Sequence, residues 1–171
     1  VLTEEQSFLK DSAKKFAQDK TPTTHFREVR DSENEKCFDS DIWQEMVKLG
    51  WSGILIPEEY GGSNFGVAGI SSILEELGKT LTPSPLFSTA VVGVSLLKHA
   101  NEDLKKNLLP KVAEDGLTLA FALEESSHHN PRKIGCAAKK QDSDYILNGE
   151  KTFVIDGTFA DKIIVACRTS G

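Results

Sequence analysis

These 171 residues contain no cysteine pair, no excess of basic residues and no long apolar run. The three cysteines, Cys37, Cys136 and Cys167, stand far apart without a CxxC spacing, which removes the pattern a cysteine zinc site or a disulfide framework needs. Reduced thiols in the cytoplasm are the simplest expectation. Apolar stretches such as residues 90–97 fall well short of the ~20 residues that span a bilayer, and the N-terminus lacks the basic-then-apolar order of a signal peptide. No membrane span is expected. Lysine and arginine number 20 against 26 acids, a net charge of -6, whereas neutralising nucleic-acid phosphates or an anionic membrane needs concentrated positive charge. Nucleic acid is not an expected partner. There is no GxGxxG or phosphate loop, no GxSxG elbow to activate Ser126 or Ser127 for hydrolysis, no internal repeat and no low-complexity segment. The chain starts at Val1 rather than methionine, so a processed or excised piece is expected.

What is present suffices for one good core or two small ones, burying roughly 70% of the unfolded surface. Thr3-Glu4-Glu5-Gln6 is a capping box, and a helix should follow to about residue 19, with Phe8, Leu9, Ala13, Phe16 and Ala17 as its apolar face. A short helix over 26–30 precedes a charged loop at 31–36. Asp39-Ser40-Asp41 offers caps for a helix over 42–49, burying Ile42, Trp43, Met46 and Leu49 and stopping at Gly50. Val67, Ile70, Ile73, Leu74 and Leu77 make another amphipathic helix closed by Gly78. Residues 86–99, apolar nearly all round, predict a central helix. Asn101 caps a further one carrying Leu104, Leu108 and Leu109, which Pro110 should break or kink.

From Leu117 the apolar period shortens. Residues 117–123 predict a buried strand, 136–140 a weaker one, 145–147 and 150–154 two strands flanking a type I′ hairpin signal at Asn148-Gly149, and 162–168 a last strand. Helices followed by antiparallel strands describe an α+β arrangement, divided at Asp115-Gly116 into residues 1–115 and 116–171.

Two stretches carry candidate chemistry. The first, Pro57-Glu58-Glu59-Tyr60-Gly61-Gly62, is on its residues alone a turn whose glycines permit positive φ. The second spans 119–155: an apolar strand opens into Glu124-Glu125-Ser126-Ser127-His128-His129-Asn130-Pro131, and the chain returns through Phe153-Val154-Ile155. A buried strand, a polar loop and a returning aromatic suit a planar ligand, since pockets combine apolar walls with a few placed polar groups. The adjacent His128 and His129 lack metal-ligand spacing and read as exposed loop.

The turn resembles the "PEEYGG" string of acyl-CoA dehydrogenases, preceded as in that family by a Leu-Gly helix end at Leu49-Gly50. Glu75-Glu76-Leu77-Gly78 and the order of the 119–155 stretch are similar to the family too. The resemblance covers the whole chain. It implies an N-terminal all-α helical bundle, residues 1–115, followed by an incomplete antiparallel β-barrel, residues 116–171, belonging to the family's middle domain. It also implies FAD as cofactor, an acyl-CoA substrate and a homo- or hetero-oligomer of family subunits. The family reaction takes a proton from the carbon beside a thioester while the next carbon gives a hydride to flavin. The glutamate base, much of the adenine-side contact and the tetramer interface belong to a C-terminal bundle beyond these residues, so inactivity of the chain by itself is expected.

Carried over by position, the family's flavin contacts fall on Phe121, Leu123, Glu124, Asn130, Phe153, Val154 and Ile155. The small residues Ser88, Thr89 and Gly93 either shape the acyl cavity or simply pack. Of the family's "TEPxxGSD" loop only Glu125 is retained. Glu124 replaces a flavin-contacting threonine, Asn130 a phosphate-directed serine that its amide can still imitate, and Ile155 a hydroxyl near the reactive nitrogen. Three outcomes therefore stand: a dehydrogenase, a non-catalytic subunit that completes a partner's site, or a flavin oxidase of the same architecture.

Overall fold

The computed structural model describes residues 2–32 and 34–169. Helix α1 (Glu4–Lys20) opens on the expected reciprocal cap: Gln6 N–H donates to Thr3 Oγ1 at 3.2 Å and Thr3 N–H to Gln6 Oε1 at 3.1 Å. Ala13, Phe16 and Ala17 enter the core, but Phe8 is 77% exposed. Phe8 lies about 100° round the helix from Leu9, outside the stripe that packs on a neighbour. Helix α2 (Thr23–Asp31) is longer than its weak signal, and α3 (Ser40–Lys48) starts where Asp39 accepts from Asp41 N–H at 2.8 Å. Met46 and Val47 fill its buried stripe with Ile42 and Trp43, while Leu49 falls past its end and is exposed.

Helix α4 (Val67–Lys79) packs along α1, and Lys10 spans the pair to Glu75 at 2.8 Å. Phe16 meets Trp51 edge to face, with centroids 5.0 Å apart. The central apolar rod winds as a π-helix over Phe87–Gly93 and continues as α5 (Val94–Leu97). Leu86, Ala90 and Val94 are completely buried, as an all-round apolar segment requires. Asn101 caps α6 (Glu102–Pro110) by accepting from Leu104 N–H at 2.9 Å. Pro110 does not end the rod: a π-helical turn over Lys111–Asp115 carries it to Gly116, at φ +75°. Wider winding takes up the lost i→i−4 bond where a break or kink was expected.

The Pro57–Gly62 turn holds a single 3-10 turn over Glu58–Tyr60. Gly61 has φ +83°, and a Cβ on Gly62 would lie 2.0 Å from Ile56 O, so both glycines are demanded locally. Tyr60 then donates its hydroxyl to Glu102 Oε2 at 2.9 Å, docking the turn on α6.

Strands follow: β1 (Leu119–Ala122), β2 (Ala137–Gln141), β3 (Asp144–Asn148) and β4 (Lys162–Val165). The α+β class stands, with two corrections inside the strand region. Strands β2 and β3 are antiparallel, but β1 and β4 pair in parallel, Leu119 opposite Lys162 through Ala122 opposite Val165. No helix joins that pair; the β2–β3 hairpin and the 149–161 segment make the crossover. The hairpin turns at Asp142-Ser143, with Asp142 at φ +53°, not at Asn148-Gly149, and residues 150–154 form no strand. Gly149 instead lets the chain pass close to Cys136, whose Cα would lie 2.7 Å from an added Cβ.

Polar contacts fix the chain on either side of the junction between the helical and strand regions. Trp43 Nε1 donates to Gly116 O at 2.8 Å, and Ser52 Oγ to Ala113 O at 3.3 Å. Asp161 Oδ2 accepts from both Thr118 N–H and Thr118 Oγ1 at 2.8 Å, clasping the starts of β1 and β4.

Candidate functional site

A cavity of about 200 Å³ opens between the Phe87–Gly93 winding, the end of β1 and the segment after β3. Six residues singled out from the sequence line it: Ser88, Phe121, Leu123, Glu124, Phe153 and Ile155. Phe87 and Val92 join them, having carried only a helix-packing signal. Phe153 and Ile155 are 72% and 60% exposed, an apolar wall turned outward rather than into the core. Phe153 has φ +50°, a left-handed conformation that a bulky residue keeps only where its surroundings hold it.

The other four sequence-selected residues are placed differently. Thr89 Oγ1 accepts from Leu119 N–H at 3.0 Å, and a Cβ on Gly93 would lie 2.5 Å from Leu119 Cβ. Both therefore hold β1 against the helix. Val154 turns toward Gly157 and accepts its N–H at 3.1 Å through the backbone carbonyl. Asn130 lines a second cavity of about 380 Å³ together with Ser126, His128, Lys133 and Arg168. Glu124 borders both cavities.

The electrostatics centre on the two consecutive glutamates. Glu124 Oε1 lies 2.5 Å from His129 Nδ1, so a protonated His129 would offset the charge beside the first cavity. Glu125 accepts from Lys151 Nζ at 2.7 Å, Gly135 N–H at 2.5 Å and Cys136 N–H at 2.9 Å. The Lys151 bond first, then the two backbone donors, hold its carboxyl down to about 2. Lys151 also donates to Leu123 O at 3.0 Å and is 10% exposed, while Thr152 N–H donates to Glu124 O at 2.8 Å. Lys151 had only a strand signal, and nothing in the sequence pairs it with a glutamate 26 residues away. Among the described residues no group of three or more His, Cys, Asp or Glu is placed to hold a metal ion.

The family described as acyl-CoA dehydrogenase, N-terminal domain, matches residues 3–115. The chain belongs to the acyl-CoA dehydrogenase family. Acyl-CoA dehydrogenase FadE12 of Mycobacterium tuberculosis (strain ATCC 25618 / H37Rv) is 35% identical over 133 residues, 76% of this chain and 34% of that protein. A crystal structure of acyl-CoA dehydrogenase from Geobacillus kaustophilus superposes with a TM-score of 0.83 at 29% identity, over 98% of this chain and 44% of its own. The ChsE4-ChsE5 complex from Mycobacterium tuberculosis shares the fold, with a TM-score of 0.82 at 24% identity over 98% of this chain and 44% of that one. This acyl-CoA dehydrogenase family chain thus spans between a third and a half of the length of these relatives. No helix among the described residues is long and apolar enough to cross a membrane.

Proposed function

We propose that the chain is the N-terminal part of an FAD-dependent acyl-CoA dehydrogenase that desaturates an acyl-CoA thioester between its α and β carbons. Residues 1–115 are its helical domain and 116–171 the start of its middle β-barrel domain, in a protein of the cytoplasm. One observation carries this reading: six residues assigned to flavin and acyl walls converge on one cavity from three separate stretches of chain.

The residues fit an FAD. Phe121, Leu123, Phe153 and Ile155 offer an apolar wall that excludes water from a planar ring, and Phe153 offers an aromatic plate. The second cavity presents the Asn130 amide with Lys133 and Arg168, donors suited to phosphate oxygens. His129 Nδ1 gives the Glu124 carboxyl a contact at 2.5 Å on the loop side, away from the apolar wall. The Lys151–Glu125 pair orients the loop between the two cavities. The chemistry FAD supplies there is acceptance of a hydride from the acyl β-carbon. Ser88, Phe87 and Val92 face the same cavity from the helical side and bound the space left for an acyl group. No catalytic base is assigned to this chain.

The substitutions at Glu124 and Ile155 favour a second reading, a non-catalytic family subunit that completes a partner's site in a hetero-oligomer. One experiment separates the two. The protein expressed from its complete reading frame should purify yellow with stoichiometric FAD, and its visible absorbance should bleach on anaerobic addition of acyl-CoA. A colourless protein that gains no flavin from added FAD would sink the dehydrogenase reading, and Glu124→Thr with Ile155→Thr restoring the colour would support the degenerate subunit.

A further inference from the structure

The outward-facing wall of the cavity has no core of its own. Phe153 and Ile155 are mostly exposed, and the backbone is held in an uncommon shape at either end of the segment, with Phe153 at φ +50° and Asp156 at φ +60°. Such a segment keeps its place only through tethers at its ends. The first tether is the Lys151 and Thr152 set of bonds to Leu123 O, Glu125 and Glu124 O. At the other end Ser88 Oγ donates to Asp156 Oδ2 at 2.5 Å, across 68 residues of sequence. Ser88 is 2% exposed, belongs to the central helical rod and itself lines the cavity. Asp156 is partly buried, and that burial pushes its carboxyl above the usual range while the Ser88 bond pulls it back. Its backbone carbonyl accepts from Ala160 N–H at 3.1 Å, so the residue also opens the turn leading to β4.

We propose that Asp156 and Ser88 are positioning residues, a latch between the helical rod and the wall segment that sets where Phe153 and Ile155 stand. The inference rests on the reading of this wall as flavin-facing. The rod fixes Ser88, Ser88 fixes Asp156, and Asp156 fixes the residue just before it, Ile155. Without the latch the strained segment relaxes toward ordinary φ, and Phe153 swings away from the cavity.

The test uses the protein from its complete reading frame. Asp156→Ala and Ser88→Ala should each weaken FAD binding by about tenfold, or ~1.4 kcal/mol, and shift the visible circular dichroism of the bound flavin. The double variant should be no worse than Ser88→Ala, which loses the contact to Asp156 along with its own bond to Pro85 O at 3.1 Å. Asp156→Asn, whose side-chain oxygen still accepts from Ser88, should bind as the parent does. Phe153→Trp provides a readout that needs no flavin: the anisotropy of its added emission should fall when Asp156→Ala is introduced, with far-UV circular dichroism unchanged. Parent affinity and parent flavin spectrum in Asp156→Ala, additive losses in the double variant, or unchanged anisotropy would each overturn the latch. A parent that binds no FAD would overturn the flavin reading, and the anisotropy experiment would still decide the latch.

Discussion

Gly93→Ala and Gly78→Ala are the same chemical change, one methyl group added to a helix, and the structure gives them opposite signs. At Gly93 the new Cβ would lie 2.5 Å from Leu119 Cβ and 2.7 Å from Leu119 Cδ1. The first atom is bonded directly to the backbone of β1 and cannot rotate away. Overpacking of this kind costs typically 1–3 kcal/mol, and the immovable neighbour argues for about 3. Replacing glycine by alanine inside a helix returns about 1 kcal/mol, leaving a net loss of about 2. At Gly78 nothing lies within 4 Å of an added Cβ, so only the gain of about 1 kcal/mol remains. For a chain of this size each kcal/mol moves the melting temperature by roughly 2–4 °C. Thermal unfolding followed by far-UV circular dichroism should place Gly93→Ala about 4–8 °C below the parent and Gly78→Ala about 2–4 °C above it. A Gly93→Ala protein as stable as the parent would refute the assignment of Gly93 to helix–strand contact.

Other outcomes follow from the same geometry. The carboxyl of Glu125 is held below its ordinary value of 4.5, to about 2, so its bonds stabilise the fold fully above about pH 4.5 and are lost as pH falls toward 2. Glu125→Gln should flatten the acid-induced loss of stability in that window, and an unchanged acid-unfolding curve would refute the staple. Trp43→Phe leaves the buried Gly116 carbonyl without its indole donor and should cost about 1–3 kcal/mol in urea unfolding. The β3 strand is exposed along its whole length, with Tyr145, Ile146 and Leu147 each about half exposed. An apolar edge of that kind pairs with other chains, so this 171-residue chain alone should self-associate in light scattering, and Ile146→Lys should reduce it.

The helices were legible because their signals are local. The Thr3–Gln6 cap, the Asp39 and Asn101 caps and the period of Ile70, Ile73 and Leu77 each lie within a turn or two of the element they specify. Phe8 was misplaced because membership of an apolar face depends on which neighbour arrives, and α4 covers only part of α1. The strands were legible as apolar stretches but not as pairs. Asn148-Gly149 has the composition of a hairpin turn, yet the approach to Cys136 claims Gly149 and the turn forms at Asp142-Ser143. The wall residues Phe121, Leu123, Phe153 and Ile155 could be picked out because a family resemblance carried them. What places them could not be: Lys151 with Glu125, and Ser88 with Asp156, are partners 26 and 68 residues apart, and no short-range pattern announces such a pair.

The Thr118–Asp161 clasp spans 43 residues, and closing a loop of that length costs about 3 kcal/mol of chain entropy from length alone. Around the clasp Phe153, Ile155 and Ile163 are about half exposed or more, and a segment with so little buried apolar surface opens without waiting for the helices to melt. The cavity wall is thus a part of the chain that lets go early. In hydrogen exchange the amide of Ala166, which donates to Ala122 O, should open with the amide of Thr152 as one unit of low free energy, well before the buried turns of α1 and α4. A ligand that binds only the closed wall would slow exchange there and, elsewhere, only in amides that exchange through global unfolding, so protection of these two amides reports occupancy of the cavity without any spectroscopic property of the ligand itself.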